Sequence, residues 1–293
     1  SKSQWSPRFG IAYPISDKGV IHFSYGFFYQ IPQFELLYQN PGYKISDISG
    51  KYGVFGNPNL EPQKTISYEL GLQQQLSQEL KFEITGYYRD VRDWVSTGIP
   101  IDLGGGSSYF TYVNKDYSNV RGILFSLDKQ FSQNFAWHLD YTYQIVEGSN
   151  SNPDEEFGAQ LNNAEPTRSI IPLDWDQRHN LNGSIYYGIK NGGVNLLMQI
   201  GSGYPYTPSF NGAEITGQNI ANSSVTNSGR KQPTVNFDVK VFRNFMFWDL
   251  KGRILLNIFN LFDRRNEIHV WSDSGRSGNS ASKDDAINNE SQF

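Results

Sequence analysis

Between Thr65 and Leu76 the chain reads TISYELGLQQQL. Ile66, Tyr68, Leu70, Leu72 and Leu76 take every second position, and only Gln74 breaks the rule. Thr65, Ser67, Glu69, Gly71, Gln73 and Gln75 lie between them. A period of two sends successive side chains to opposite faces of a strand, so one face is apolar and the other small, polar or charged. In LKFEITGYYR, Leu80, Phe82, Ile84 and Tyr88 oppose Lys81, Glu83, Thr85 and Arg89. In FAWHLDYTYQ, Phe135, Trp137, Leu139, Tyr141 and Tyr143 oppose Ala136, His138, Asp140, Thr142 and Gln144. In VNFDVKVF, Val235, Phe237, Val239 and Val241 oppose Asn236, Asp238 and Lys240. The pattern predicts ten antiparallel strands, over about 6–15, 20–30, 64–76, 80–95, 118–131, 135–146, 178–189, 194–204, 233–244 and 247–262. Several reach about ten residues, the length a tilted strand needs to cross a bilayer.

The predicted connections alternate in length. Short turns fall at Ser16–Gly19, Ser77–Glu79, Ser132–Asn134, Lys190–Gly193 and near Asn244–Phe247, and long polar segments at 31–63, 96–117, 147–177 and 205–232. Short turns at one end and long loops at the other are the habit of outer-membrane barrels. Structureless segments this long count against a compact soluble domain. The polar faces are rich in Gly, Ser, Thr, Asn and Gln, as a watery or plugged lumen requires. Tyr25, Phe27, Tyr88, Tyr141 and Tyr143 stand near one set of strand ends; Phe131, Phe135, Phe245 and Phe247 stand near the other. Two aromatic girdles at two interfaces are the membrane pattern.

Composition adds limits. Aromatics make up 15% of 293 residues, with eighteen Tyr and twenty Phe against two Met, which favours strands over helices. A net charge of −4 with no Lys/Arg run argues against nucleic acid, and the absence of Cys excludes disulfides and thiolate metal sites. A mean hydropathy of −0.53 suits a soluble protein, but barrel strands hide their hydrophobicity in alternation. The first connection is short, so the first strand runs inward and the last outward. Ten strands in that sense leave two unpaired edges in lipid, and the expectation is a fragment with strands missing at both ends.

The stretch GNPNLEPQKTISYELGL, with Asn57, Pro58, Leu60, Glu61, Pro62, Tyr68, Glu69 and Gly71, resembles the barrel motif of TonB-dependent outer-membrane receptors. SPRFGIAYPI (Ser6–Ile15), SYGFFYQIPQFELLY (Ser24–Tyr38) and NIFNLFDRRN (Asn257–Asn266) are similar to further strands of that family, in the family's order. The resemblance implies an all-β, antiparallel transmembrane barrel of 22 strands around an N-terminal plug. Residues 1–293 would supply about strands twelve to twenty-one, without the plug and the closing strand. It further implies an outer-membrane receptor of a Gram-negative bacterium that imports a scarce solute. Its partners are TonB, acting through the plug, and membrane lipid. No bond is broken, so no catalytic residue, cofactor or metal is expected. A complete small outer-membrane barrel (enzyme or passive porin) and a soluble β adhesin are the competing readings.

On this reading Ile66, Tyr68, Leu70 and Leu72 face lipid, and the lumen or plug is met by Glu69, Lys81, Glu83, Arg89, Asp140, Asp238 and Lys240. The loop aromatics Tyr38, Tyr43, Tyr52, Phe55, Tyr109, Tyr112, Trp175, Tyr204 and Tyr206 are the candidates for solute capture, being rigid surfaces with polar neighbours. His138 beside Asp140 is read as a lumen hydrogen-bond network, and Asp154, Glu155 and Glu156 as a solvated acidic loop. DLGGGSS (Asp102–Ser108), which lacks the lysine of a phosphate loop, is read as a flexible loop. His22, His138, His179 and His269 match no ligand spacing.

Overall fold

The computed structural model describes residues 3–41, 50–161, 169–209 and 226–280. In chain order the strands are β1 (Arg8–Ser16), β2 (Gly19–Gln30), β3 (Gly50–Phe55), β4 (Gln63–Gln75) and β5 (Leu80–Thr97). There follow β6 (Ile101–Gly104), β7 (Ser107–Ser132), β8 (Phe135–Gly148), β9 (Ile171–Pro172) and β10 (His179–Ile189). The last five are β11 (Gly192–Gly201), β12 (Pro205–Tyr206), β13 (Gly229–Arg230), β14 (Thr234–Phe247) and β15 (Leu250–Ile258). Two short helices, α1 (Phe34–Tyr38) and α2 (Glu155–Leu161), lie in the long connections. Ten strands form one antiparallel wall in the order β1-β2-β4-β5-β7-β8-β10-β11-β14-β15. Each neighbours the next in sequence, as in an up-and-down barrel.

Register sorts the two faces, because residues directly opposite across an antiparallel pair share a side. One row runs Tyr13, Ile21, Leu72, Ile84, Phe125, Tyr141, Leu181, Ile200, Val235 across nine strands. The neighbouring row on the other face runs Val20, Gln73, Glu83, Ser126, Asp140, Asn182, Gln199, Asn236. The apolar face is open: Leu70 is 58% exposed, Ile123 49% and Leu256 54%. A sandwich would bury that face against a second sheet, whereas among the described residues this face is left bare. At one end of it Tyr25, Tyr68 and Tyr88 stand in file, ring centroids 4.9 and 6.3 Å apart. Phe245, Phe247 and Trp248 mark the other end.

The turns correct the predicted boundaries. Gln133 and Asn134 both take positive φ (49° and 67°), the geometry that matches strand twist in a two-residue hairpin. The final turn is at Trp248–Asp249 and not near Asn244–Phe247: β14 runs on to Phe247, and Asn244 and Phe245 pair with Arg253 and Gly252. Trp248 supplies the positive φ (51°) in an apolar run that otherwise reads as strand. β15 stops at Ile258, short of the predicted 262, because Asn260 and Asp263 take φ of 50° and 47°. The largest correction is β7. Residues 107–117 are strand, not loop, and at about 3.3 Å per residue its 26 residues reach roughly 85 Å. About ten residues suffice for a crossing, so β5 and β7 project well past the apolar band.

Candidate functional site

The projecting ends of β5 and β7 give the long connections something to pack on. Phe110 and Tyr112 alternate on β7 and are fully buried, with Val54 of β3, Leu60 and Val95 around them. Leu36 and Leu37 of α1 and Phe157 of α2 close the cluster, and β3 pairs parallel to β7. This core lies in the connections because the wall spends its apolar residues outward. The Tyr112 hydroxyl stands 2.7 Å from Asp154 Oδ1 and 2.8 Å from Gln39 Oε1. Burial, then the Asp154 carboxylate, holds this phenol above its ordinary pKa.

The acidic stretch is solvated only in part: Asp154 is exposed, while Glu155 and Glu156 are partly buried. Asp154 takes the Tyr112 hydroxyl, Glu155 Oε2 accepts from Ser151 N at 2.8 Å, and Glu156 pairs with Lys115. Burial raises the Glu155 pKa, and Asp174 and Asp116 add to the rise. DLGGGSS is likewise no loose loop. β6 pairs with β7 through a tight turn in which Gly104, Gly105 and Gly106 all take positive φ, open to glycine at little strain.

The aromatics singled out for capture are not gathered in one cluster. Tyr38 is exposed on α1, and Phe55 meets Tyr109 edge-on at 5.6 Å. Tyr43 and the side chain of Tyr52 lie outside the described residues. Tyr112 is withdrawn from the surface, with its ring in the core and its hydroxyl against Gln39 and Asp154. Trp175 stands edge-on to Trp94 at 5.6 Å, and Tyr204 donates to Gln177 Oε1 at 3.4 Å. Tyr206 sits in the β12–β13 pair, where a Cβ on Gly229 or Gly275 would strike its ring.

Pattern reading missed two arrangements. The first is a cavity of about 290 Å³ between α1, the ends of β2 and β4, and Pro153–Asp154, with Trp94 and Tyr112 in its wall. The second is Asp176, whose side chain is fully buried. Its Oδ1 accepts from Val146 N at 2.8 Å, and its Oδ2 accepts from Arg178 Nε at 2.7 Å and from Arg230. That node ties β8 to the third and fourth long connections. No periodicity signals it, since the three partners are far apart in sequence.

The polar face carries the predicted lumen residues together. Register puts Glu69, Lys81, Glu83, Arg89, Asp140, Asp238 and Lys240 on it. Gln73 donates to Glu83 at 3.0 Å, and Arg89 pairs with Glu69 at 3.2 Å. His138 bridges two carboxylates, Nδ1 at 2.5 Å from Asp128 and Nε2 at 2.6 Å from Asp140, with Ser126 on Asp140 and Lys81 3.4 Å from Asp128. Asp128 was legible by counting back from the Gln133–Asn134 turn, which sets it opposite His138. Gln73, Lys81 and Glu83 also line a recess of about 300 Å³ near the short turns. Such a face can hold a polar body by hydrogen bonds.

The family model described as TonB dependent receptor-like, beta-barrel, matches residues 1–261. The chain belongs to that family. Solved barrels share the fold at low identity. The outer membrane transporter YddB of Escherichia coli aligns at TM-score 0.66 and 14% identity, over 88% of this chain and 37% of its own. The ferric enterobactin receptor PfeA of Pseudomonas aeruginosa aligns at 0.61 and 18%, over 89% and 35%. The FrpB iron transporter of Neisseria meningitidis aligns at 0.55 and 10%, over 88% and 35%. This TonB-dependent receptor barrel chain therefore spans little more than a third of the length of those proteins.

Proposed function

We propose that the chain forms part of the wall and the outward loops of a Gram-negative outer-membrane receptor, which imports a scarce solute coupled to TonB. One observation carries the reading: a wall of this family with a bare apolar face, a hydrogen-bonding polar face and long connections folded at one end only. Lipid takes the apolar face. A plug, which TonB pulls, takes the polar face through groups such as Arg89, Glu83 and Lys81. The folded connections meet the solute outside. Residues 1–293 are assigned to about strands twelve to twenty-one of a 22-stranded barrel. The chemistry is binding and translocation, not bond breaking, so the role is that of a transporter and not an enzyme.

The test is the reading frame on both sides of the segment, followed by fractionation of cells expressing the full frame. We expect a plug-like region upstream and a closing strand downstream. We also expect outer-membrane localisation, a folded form that migrates differently after heating, and in vivo cross-linking of the upstream segment to TonB. Recovery in the soluble fraction without detergent, or a frame that starts at Ser1 and stops at Phe293, would overturn it.

A further inference from the structure

We propose that the cavity beneath α1 binds a neutral, polyhydroxylated solute of mono- or disaccharide size; the proposal rests on the receptor reading above and names its cargo class. The cavity measures about 290 Å³. That is near the low end of the range for small-molecule sites, about 300–1,000 Å³. Gln30, Gln33, Gln39 and Gln63 present four amides to it, and Glu35 and Asp154 two carboxylates. Among the described residues, the side chains of Gln30, Gln33, Gln63 and Glu35 engage no hydrogen-bond partner, and neither carboxylate has an ion pair. No Lys, Arg or His is among the described residues lining the space.

Charge decides the cargo class. An anionic chelate or a phosphate would bring negative charge against two carboxylates with no cation to offset them. A sugar hydroxyl donates and accepts at once, so it satisfies amides and carboxylates together. One carboxylate already accepts a hydrogen bond from the Tyr112 hydroxyl, and four amides that both donate and accept stand beside the two acids, a set that suits a ligand of many hydroxyls. Trp94 supplies a flat apolar wall for the C–H face of a ring.

The frame is set in advance. Tyr112 is fully buried and touches both Gln39 and Asp154, and Thr97 N and Oγ1 both donate to Pro153 O, at 2.9 and 2.8 Å. A rigid wall spends little ordering entropy on capture.

The experiment uses the full receptor in detergent micelles, screened on an array of neutral oligosaccharides. The best hit is then measured by calorimetry beside its uronate and 2-amino counterparts and ferric citrate. We expect the neutral sugar to bind, the uronate and ferric citrate to give no heat, and Gln33→Ala with Glu35→Ala to weaken binding about tenfold or more. Trp94→Ala should do the same and Trp94→Phe much less. The Gln33 and Glu35 changes lie on exposed chain, so heat-dependent gel migration should stay normal. An empty array, tighter binding of the charged forms, or indifference to both sets of variants would sink the proposal. Calorimetry needs no TonB, so such a failure leaves the cross-linking result standing. A soluble protein, by contrast, would remove both readings.

Discussion

Removing the Asp176 carboxylate leaves the Val146 amide, Arg178 and Arg230 without their common acceptor. Breaking a buried charge pair from one side typically costs about 3–5 kcal/mol. Arg178 and Arg230 are about a third exposed (30% and 33%), so water repays part of the loss and the low end applies. Asp176→Ala should therefore lower stability by about 3 kcal/mol in lipid or detergent unfolding, with protease cuts appearing first in 149–178; a change under about 0.5 kcal/mol would contradict the node. Glu155 makes a pH prediction. Its folded pKa is raised, chiefly by burial, so the folded loops bind its proton more tightly than the unfolded chain does. Its contribution is present at acid pH and is lost as pH rises from the ordinary carboxylate value through the raised one. Hydrogen exchange of α2 should quicken across that interval, and Glu155→Gln should flatten the response. The contacts of neither residue were visible in the pattern, because alternation reports which face a residue takes and not which distant group meets it there.

At the scale of elements the alternation was nearly sufficient. All ten wall strands were legible, and so was the sidedness of Glu69, Lys81 and Asp238, because a period of two survives any uncertainty about the ends. The ends themselves misled where apolar residues occupied a turn, as at Trp248, and where polar residues occupied a strand, as in 107–117. Sidedness has a direct test. Leu70→Arg or Leu139→Arg puts a charge on the lipid face and should destabilise the inserted barrel by about 2–4 kcal/mol near the midplane. Gln73→Arg, three residues beyond Leu70 and on the polar face, should change little. Equal effects would mean the faces are assigned backwards.

The described residues divide into a wall with one bare apolar face and a folded cap, and single-tryptophan variants can report on each. Trp137 shares the apolar row with Ile185 and Leu196, while Trp94 and Trp175 touch each other beside the cap. Brominated lipid should quench Trp137 and Trp248 and spare Trp94 and Trp175; quenching of all four would place the cap in the bilayer. The cap was the least legible part, since Tyr112, Asp154 and Gln39 come from three separate predicted connections and meet only in three dimensions. Read singly, each looked like loop.

The 26-residue β7 sets how the cap moves. Hydrogen bonds to β5 run along it almost from the short turn to the cap, interrupted only near Val91–Val95, so the outward part is a beam clamped in the wall and not a tethered flap. A load applied to the cap from outside is carried as bending and shear into the neighbouring strands. Pulled at Tyr38 against a lipid-anchored wall, the assembly should yield in one high-force event, with no long compliant extension before it.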